Sequence, residues 1–330
     1  MKKDPKNYIA NYEMNAYSYE SFWQGREYEH QAELLLLNKI FSRDIDLSQI
    51  SEVVDLGGAY GRLLQTYGNH VKSVVLADYS TKELLSGRGR VMQGDSLEKV
   101  SFLALNAYKM PFADKSIEFL LSVRVMHHLK ETELFFKELS RVIRPKGKVL
   151  LEFANKNHII AVIKQALRFR LGRFMQSGIT QVSHSQESSQ GIASGQESII
   201  YNFSAKYVKD VALRHGFVFK NEYGCSFLRS AFVKKHVPLR YLLKIEEVLQ
   251  NIAGKFGITP SIFVIFEKFS ENDSLTAEPP RLEERLVCPI CHEKLVKKES
   301  KIVCSSRHEF PQTTVGVIDL RDPRPEEIDF

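Results

Sequence analysis

Residues 53–62 read Val-Val-Asp-Leu-Gly-Gly-Ala-Tyr-Gly-Arg, a short apolar run followed directly by a cluster of glycines. The apolar run is typical of a buried strand, and glycines allow a tight turn at which a ligand can come close to the backbone. A helix is expected directly after the turn, over 60–68, and its first residues would offer unpaired backbone N–H groups. The stretch therefore predicts a strand, a glycine turn and a helix.

The alternation of strands and helices continues along the chain to residue 154. Four more strands are predicted, over 71–80, 102–108, 117–123 and 146–154. Helices are predicted between them, over 81–89 and 132–143. The second of these helices is amphipathic and is expected to stop at Pro145 and Gly147. Such alternation predicts an α/β fold, in which helices cover both faces of a mostly parallel sheet.

Elements after residue 154 are less regular. A basic helix is predicted over 157–174, and a polar stretch rich in serine and glutamine, 183–197, is interpreted as a mobile loop. A helix over 204–216 follows, and strands over 217–224 and 261–269 are predicted to pair as a late antiparallel hairpin in the same sheet.

These elements divide the chain into four parts. An N-terminal helical segment (1–45), with a helix over 17–42, precedes the sheet domain (46–270). A linker (271–284) leads to a small C-terminal domain (285–330), which contains three of the four cysteines.

The chain is mildly basic, with 46 Lys and Arg against 40 Asp and Glu and a net charge of +6. This balance allows an anionic partner such as nucleic acid, a nucleotide or an acidic lipid surface, but does not require one. No apolar run reaches the ~18 residues of a membrane-spanning helix, and the N-terminus lacks the apolar segment of an export signal. With four cysteines, the sequence predicts a protein of the reducing cytoplasm, whose thiols are free or bound to metal.

Asp78, at the end of the second predicted strand, lies 21 residues beyond Gly57. In a doubly wound sheet this position faces a ribose, whose two hydroxyls a carboxylate can bind. The turn does not follow the G-x-G-x-x-G pattern of dinucleotide sites, because Ala59 and Arg62 stand where the second and third glycines would be, and the G-x-x-x-x-G-K pattern of phosphate loops is absent. A pyrophosphate ligand is therefore disfavoured.

The sequence Asp-x-Gly-x-Ala-x-Gly at 55–61 resembles motif I of the class I S-adenosylmethionine-dependent methyltransferases, with alanine in place of the middle glycine. The resemblance covers 50–155 and includes 116–129 and 138–147, which are similar to the type 11 methyltransferase group. It implies a Rossmann-like doubly wound sheet, S-adenosylmethionine as cofactor, and an acceptor pocket built from 155–260.

The resemblance also implies which residues bind the cofactor. Listed from the methionine end through the ribose to the adenine, they are Asp55, Gly57, Gly58, Ala59, Gly61, Asp78, Tyr79, Asn106 and Ala107, with Ser122 and Arg26 as further candidates. Arg26 is a candidate for the cofactor's carboxylate. Arg124 could meet that carboxylate, an anionic acceptor, or the partner of a surface ion pair.

His127 and His128 follow the fourth predicted strand and are candidate catalytic bases, because histidine titrates near neutrality and can remove a proton from a hydroxyl or a ring nitrogen. The alternative is that one of them packs against or caps the next helix. The aromatic residues around Trp23 also allow two interpretations. The N-terminal helix either closes over the cofactor as a lid or packs on the sheet, and packing is favoured.

Three cysteines and a histidine in the C-terminal part are spaced as C-x2-C-x12-C-x3-H. Cys288, Cys291, Cys304 and His308 form a Cys3His set suited to tetrahedral Zn2+, and four protein ligands would make the metal structural. The C-x-x-C-H pattern at 288–292 also fits haem attachment, which would require export, and free reduced cysteines are a third alternative. The tail resembles the zinc ribbon of large-subunit rRNA guanine-N1 methyltransferases, but it follows the catalytic domain instead of preceding it. We expect a ribbon whose loss leaves cofactor affinity nearly unchanged.

The favoured function is methyl transfer from S-adenosylmethionine to a small-molecule or biosynthetic-intermediate acceptor. Methylation of an RNA base in rRNA or tRNA is the alternative. A non-catalytic, methyltransferase-like module that recruits a partner through its zinc ribbon is an alternative of another class. The helix at 157–174 would also allow peripheral contact with anionic lipid or RNA, although a half-buried face is more typical of such a helix.

Overall fold

The computed structural model describes residues 19–92, 99–158, 178–184, 198–252, 257–271, 280–298, 301–311 and 316–321. The strands in this part of the chain are β1 (Glu52–Leu56), β2 (Ser73–Asp78), β3 (Val100–Ala104), β4 (Ile117–Ser122), β5 (Ile143–Ala154), β6 (Ile179–His184), β7 (Ser198–Phe203), β8 (Phe217–Cys225), β9 (Ser261–Lys268), β10 (Leu295–Lys298), β11 (Lys301–Cys304), β12 (Glu309–Pro311) and β13 (Val317–Asp319). The helices are α1 (Tyr19–Phe22), α2 (Glu27–Arg43), α3 (Thr81–Val91), α4 (Thr132–Val142), α5 (Ala205–Arg214), α6 (Ala231–His236), α7 (Leu239–Ile252) and α8 (Leu282–Arg285).

The central sheet has the strand order β13-β3-β2-β1-β4-β5-β9-β8. From β13 to β5 all neighbouring strands are parallel, whereas β9 is antiparallel to both β5 and β8. This confirms the predicted fold class, a mostly parallel Rossmann-like sheet with late antiparallel strands. Strands β8 and β9 are neighbours, as predicted, but α6 and α7 lie between them in the chain instead of a tight turn.

Both faces of the sheet are covered, which explains why β1 is buried along all five residues. Side chains alternate along a strand, so Val53 and Val54 point to opposite faces. Val54 belongs to the apolar cluster that contains Phe136 of α4, and Val53 to the cluster that contains Leu37 of α2. This two-sided packing leaves the carboxyl ends of β1 and β2 as the edge at which side chains meet a ligand.

The prediction of a helix over 60–68 is wrong. The chain forms two short 3-10 turns there, Leu64–Thr66 and Gly68–His70. Gly61 has a φ of +78°, which an α-helix does not accept, and the hydroxyl of Tyr67 turns inward to a buried carboxylate. The local apolar spacing is thus overridden by a tertiary hydrogen bond.

Two other predicted helices also have different bounds in the structure. The N-terminal helix predicted over 17–42 is interrupted at Gly25, where φ is +74°, and α1 and α2 lie on either side. Helix α4 ends before Pro145, as expected, but β5 begins at once at Ile143. The predicted helix over 157–174, the loop over 183–197 and the linker over 271–284 fall largely outside the described residues.

The C-terminal tail is tied to the central sheet. Strands β10, β11 and β12 form a separate three-stranded antiparallel sheet, but β13 pairs in parallel with β3 and extends the main sheet. Arg285 of α8 is almost fully buried, donates to the carbonyl oxygen of Ser116 at 2.7 Å and pairs with Glu52. The last strand of the predicted C-terminal domain is therefore part of the main sheet, which gives a physical reason to expect that loss of the ribbon affects the cofactor site. In the described ranges, no helix has the length and apolar character needed to cross a membrane.

Candidate active site

The glycine turn after β1 is packed so closely that only glycine fits at its first position. A Cβ on Gly57 would lie 2.0 Å from Cγ2 of Val125, and the residue has a φ of +80°. The backbone N–H groups of Gly57 and Gly58 both donate to the carbonyl oxygen of Ala77, at 2.7 and 3.1 Å. Ala59 adopts a left-handed φ of +45°, which explains why glycine is the usual residue at this position in the motif.

Asp78 lies across from this turn at the end of β2. Its carboxylate accepts hydrogen bonds from the backbone N–H of Ala59 at 3.0 Å and from that of Ser80 at 2.9 Å. Burial raises the pKa of Asp78 to about 6, although these two backbone donors act in the opposite direction. The predicted ribose-binding acid and the glycine turn are therefore in direct contact.

A cleft that is partly open to solvent lies between the turn and Asp78, and its cavity volume is about 100 Å³. Its lining residues are Tyr19, Leu56, Gly57, Ala59, Asp78, Tyr79, Glu83, Leu105, Asn106, Ala107, Tyr108, Arg124, Val125, His128 and Leu129. The structure thus brings together predicted residues from three strand ends, at Gly57, Asp78 and Asn106.

The adenine side of the predicted site is held by backbone contacts. The amide oxygen of Asn106 accepts the N–H of Tyr108 at 2.9 Å, which forms a short turn at the cleft wall. Arg321, which follows β13, donates to the carbonyl oxygen of Tyr79 at 2.9 Å, and its guanidinium lies 5.3 Å from the centre of the Tyr79 ring. Asp319 pairs with Arg321 at 2.6 Å and orients it. The sequence did not single out Arg321, because its 242-residue separation from Tyr79 leaves no local signal.

Replacing Arg321 with alanine is expected to weaken S-adenosylmethionine binding by about three- to tenfold, because the loss of one hydrogen bond of about 1 kcal/mol frees the Tyr79 backbone. Calorimetric titration measures this change. The exposed Lys298 of β10 provides the control, since Lys298→Ala removes a cation of the same tail away from the cleft. Equal affinity of Arg321→Ala and Lys298→Ala would contradict the assignment.

Five predicted cofactor-binding residues lie outside the cleft lining, namely Arg26, Asp55, Gly58, Gly61 and Ser122. Asp55 is 2% exposed beneath the turn, where its carboxylate accepts the Tyr67 hydroxyl at 2.5 Å. Ser122 is fully buried, and a Cβ on Gly58 or Gly61 would meet the side chain of Leu76. Burial raises the pKa of Asp55 to about 6. The structure thus places Asp55 beneath the turn, and Gly58 and Gly61 within it against Leu76.

The variant Tyr67→Phe tests this placement of Asp55. The raised pKa of Asp55, about 6 against an ordinary 3.8, means that its contribution to stability is present at low pH and is lost as the pH rises through about 6. Removing the hydroxyl leaves a buried acceptor unsatisfied and raises this pKa further, so we expect a loss of about 1–3 kcal/mol in unfolding free energy near pH 8 and little loss near pH 5. Urea unfolding at the two pH values measures both.

Tyr223→Phe is the matched control, since Tyr223 donates at 2.6 Å to Asp44, a carboxylate that stays partly open to solvent. We expect a smaller and pH-independent loss there. A pH-independent loss in Tyr67→Phe would show that Asp55 is not the group affected.

A buried ionic network stands beside the turn. Glu33 of α2 is fully buried and pairs with Arg124 at 2.7 Å and with Arg62 at 2.6 Å. Burial by itself would raise the pKa of Glu33, but the two guanidinium groups hold it below its ordinary value. Trp23 covers both cations, with its ring centre 3.7 Å from the guanidinium of Arg62 and 4.8 Å from that of Arg124. Arg124 is thus a buried ion-pair partner that also lines the cleft.

The N-terminal segment both packs and lines the cleft. Trp23 packs with Ala59 and Tyr60, in agreement with the favoured interpretation, whereas Tyr19 contributes to the cleft wall. Arg26 does not line the cleft described here, and its guanidinium lies 3.8 Å from the centre of the Phe22 ring. The cation placed at the cleft is Arg124, which the sequence offered as one of two alternatives.

His127 and His128 lie side by side, with ring centres 4.0 Å apart, and of the two His128 lines the cleft. Burial lowers the pKa of His128 to about 4. Burial, the neighbouring His128 and the cations Arg124 and Arg229 lower that of His127 as well. Both rings are therefore neutral near pH 7, and neither titrates near neutrality as the sequence interpretation assumed.

The predicted metal ligands meet in space. The ligand atoms of Cys288, Cys291, Cys304 and His308 all lie within 4.8 Å of one another. Sγ of Cys291 is 3.6 Å from Sγ of Cys304, and Nδ1 of His308 is 3.3 and 3.5 Å from Sγ of Cys304 and Cys288. A tetrahedral zinc ion with Zn–S bonds of about 2.3 Å has S···S edges of about 3.8 Å, so this set fits such an ion.

Part of the chain is similar to known methyltransferases. A family model described as "Methyltransferase domain" matches residues 54–151. The "Ubiquinone/menaquinone biosynthesis C-methyltransferase UbiE" of Shewanella sp. (strain W3-18-1) is 29% identical over 113 residues, which cover 33% of this chain and 45% of that protein. The protein of the same name from Hahella chejuensis is 28% identical over 140 residues, which cover 41% and 56%. The chain thus matches about half the length of these curated relatives.

A solved structure supports the fold. The putative S-adenosylmethionine-dependent methyltransferase from Listeria monocytogenes superposes with a TM-score of 0.51 at 14% identity, over 74% of this chain and all of that one. At this identity the likeness concerns the fold alone. Residues 54–151 thus match a methyltransferase family model, and the central sheet has the same fold as that solved structure.

Proposed function

We propose that this protein transfers a methyl group from S-adenosylmethionine to a small-molecule acceptor. The observation that carries the proposal is the hydrogen bond between the Asp78 carboxylate and the Ala59 N–H, which joins the ribose-binding acid and the glycine turn in one cleft. A cofactor that spans both would have its ribose at the carboxylate and its methionine end at the turn. When bound, S-adenosylmethionine supplies an activated methyl group on a positively charged sulfur.

The chain's own residues have separate roles in this proposal. Asp78 accepts the ribose hydroxyls, and Tyr79 and Asn106 flank the adenine. Arg124, held by Glu33, presents a cation to the carboxylate of the cofactor or to an anionic acceptor. Neutral His128 can accept a hydrogen bond from an acceptor hydroxyl but is a weak proton acceptor, so it would orient the acceptor more than deprotonate it.

A small biosynthetic intermediate is the acceptor we favour over RNA. The names of the curated relatives refer to carbon methylation in ubiquinone and menaquinone biosynthesis, and a quinol-type ring is thus a first candidate. The net charge of +6 is modest for a protein that binds RNA. A cytoplasmic location stays a prediction from the sequence.

The Cys3His cluster is proposed to hold one structural zinc ion. All four ligands come from the protein, which leaves no open position for chemistry. The metal would stabilise the small β10–β12 sheet and, through the chain that leads to β13, the edge of the main sheet next to β3.

Calorimetric titration of the zinc-loaded protein with S-adenosylmethionine tests the function first. Saturable binding at one site per chain is expected, and no binding would favour the non-catalytic module. Transfer of a labelled methyl group is then measured to a quinol-type phenol and to total RNA, with varied salt. Labelling of RNA alone, with retention that falls steeply with salt, would overturn the small-molecule acceptor.

A further inference from the structure

Helix α7 exposes a row of apolar side chains on its surface. The residues that it turns toward the protein include Glu246 and Gln250, which are 0% and 3% exposed. Tyr241, Ile245 and Val248, by contrast, are 46%, 45% and 52% exposed. With Ile252, they follow one another at spacings of four, three and four residues, which places them on a single helix face. Leu242, on the inner side, is 2% exposed and packs in the core, so α7 carries apolar side chains on both sides, and this outer row points to the solvent.

Buried hydrogen bonds fix this orientation. The Glu246 carboxylate accepts the hydroxyl of Tyr28 from α2 and the backbone N–H groups of Ser226 and Phe227, the last two at 2.7 and 3.0 Å. Gln250 donates to the carbonyl oxygen of Ala32 at 3.1 Å. Rotating α7 to bury its apolar face would leave these groups without partners, at a cost of about 1–3 kcal/mol for each buried polar group. The outward apolar face is thus built into the fold.

The charged residues around this face indicate which kind of surface would bind it. Exposed basic side chains flank the apolar residues at Lys235, Arg240 and Lys244, against one exposed acid at Glu247. Phe232 of α6, the preceding helix in the chain, is 72% exposed as well. An exposed apolar stripe bordered by cations is the pattern of helices that lie in the interface of an anionic lipid bilayer.

We infer that α6 and α7 dock this protein on an anionic lipid surface, with Phe232, Ile245, Val248 and Ile252 inserted at the headgroup level. The docking does not depend on the proposed activity, since it involves a different set of residues.

Co-sedimentation of the full chain with vesicles tests this docking. We expect binding to phosphatidylcholine vesicles that contain phosphatidylglycerol, and binding at least tenfold weaker to phosphatidylcholine alone. The double variant Ile245→Gln/Val248→Gln should lose at least tenfold in vesicle affinity. The double variant Arg240→Gln/Lys244→Gln should lose about fivefold per cation, and its loss should shrink at high salt. Titration with S-adenosylmethionine should give the same affinity for all of these proteins.

Leu213→Gln is the matched control, because Leu213 is an isolated apolar side chain of α5 that is 68% exposed. It should bind vesicles like the unmodified protein. Binding of the Ile245/Val248 double variant at the level of Leu213→Gln would overturn the docking, as would no vesicle binding by the unmodified protein. A dimer in light scattering that the Ile245/Val248 double variant dissociates would also overturn it, because the face would then pair with a second copy.

Discussion

Replacing Asp78 with alanine will lower the affinity for S-adenosylmethionine by at least about 100-fold. A carboxylate that accepts both ribose hydroxyls forms two charge-assisted hydrogen bonds, each worth about 1.5–3 kcal/mol, so the two together exceed the factor of 100. The variant also removes the acceptor of the Ala59 N–H and loosens the glycine turn. Calorimetric titration measures the affinity, and circular dichroism checks the fold.

The control for this variant is Asp46→Ala, which removes an exposed carboxylate that caps the Leu47–Gln49 turn away from the cleft. It should bind the cofactor like the unmodified protein. If Asp78→Ala stays within about threefold of Asp46→Ala, the ribose assignment is wrong, because two charge-assisted hydrogen bonds cannot be lost at so small a cost.

The same carboxylate makes cofactor binding depend on pH. Burial raises the pKa of Asp78 to about 6 from an ordinary 3.8, so the free protein holds a proton there below that value. A protonated carboxyl accepts the ribose hydroxyls less well, and affinity is expected to be constant above about pH 6 and to fall by up to tenfold per pH unit below it. Asp55 titrates in the same range. Asp78→Asn separates the two groups, since its weaker binding should be nearly independent of pH.

Replacing Cys288 with serine is expected to release the zinc ion, unfold the β10–β12 sheet and detach β13. Structural zinc contributes on the order of 10 kcal/mol to small domains, far more than these short strands can replace. Detachment also removes Arg321 from Tyr79, so cofactor affinity should fall by about the same three- to tenfold as in Arg321→Ala. Zinc content, amide hydrogen exchange at 317–319 and calorimetry provide the three measurements.

Cys225→Ala is the control, because Cys225 is a buried thiol of β8 outside the metal cluster. It should retain one zinc per chain and the slow exchange of β13. A Cys288→Ser protein that still protects the amides of 317–319 would show that β13 is held by its pairing with β3 alone.

The fold class and one wall of the site could be predicted because their signals are local. The first strand and the glycine turn follow one another within a short stretch, and the parallel topology brings the carboxyl ends of β1, β2 and β3 to the same edge. Asp78 and Asn106 could therefore be placed opposite Gly57 without coordinates. Asp55 could not be placed correctly, because its orientation depends on the buried hydroxyl of Tyr67.

The pKa values of the two histidines could not be predicted from the sequence either. His127 and His128 lie at the predicted strand end, but burial lowers the pKa of both, and Arg229, a cation from a distant part of the chain, lowers that of His127 further. Residue type determines the ordinary pKa of a histidine, whereas the packing around it determines the actual one.

The sequence alone determined the alternating strands and helices, the glycine turn with its acidic partner Asp78, and the Cys3His spacing. Each of these depends on residues that are close in the chain or that follow one repeating pattern. Only the tertiary structure decided that Arg124 and Tyr19 reach the cleft, that Arg321 supports Tyr79 from the far end of the chain, and that α7 exposes its apolar face. These features arise from contacts between distant segments. Their energies depend on burial and on partners that no local pattern records.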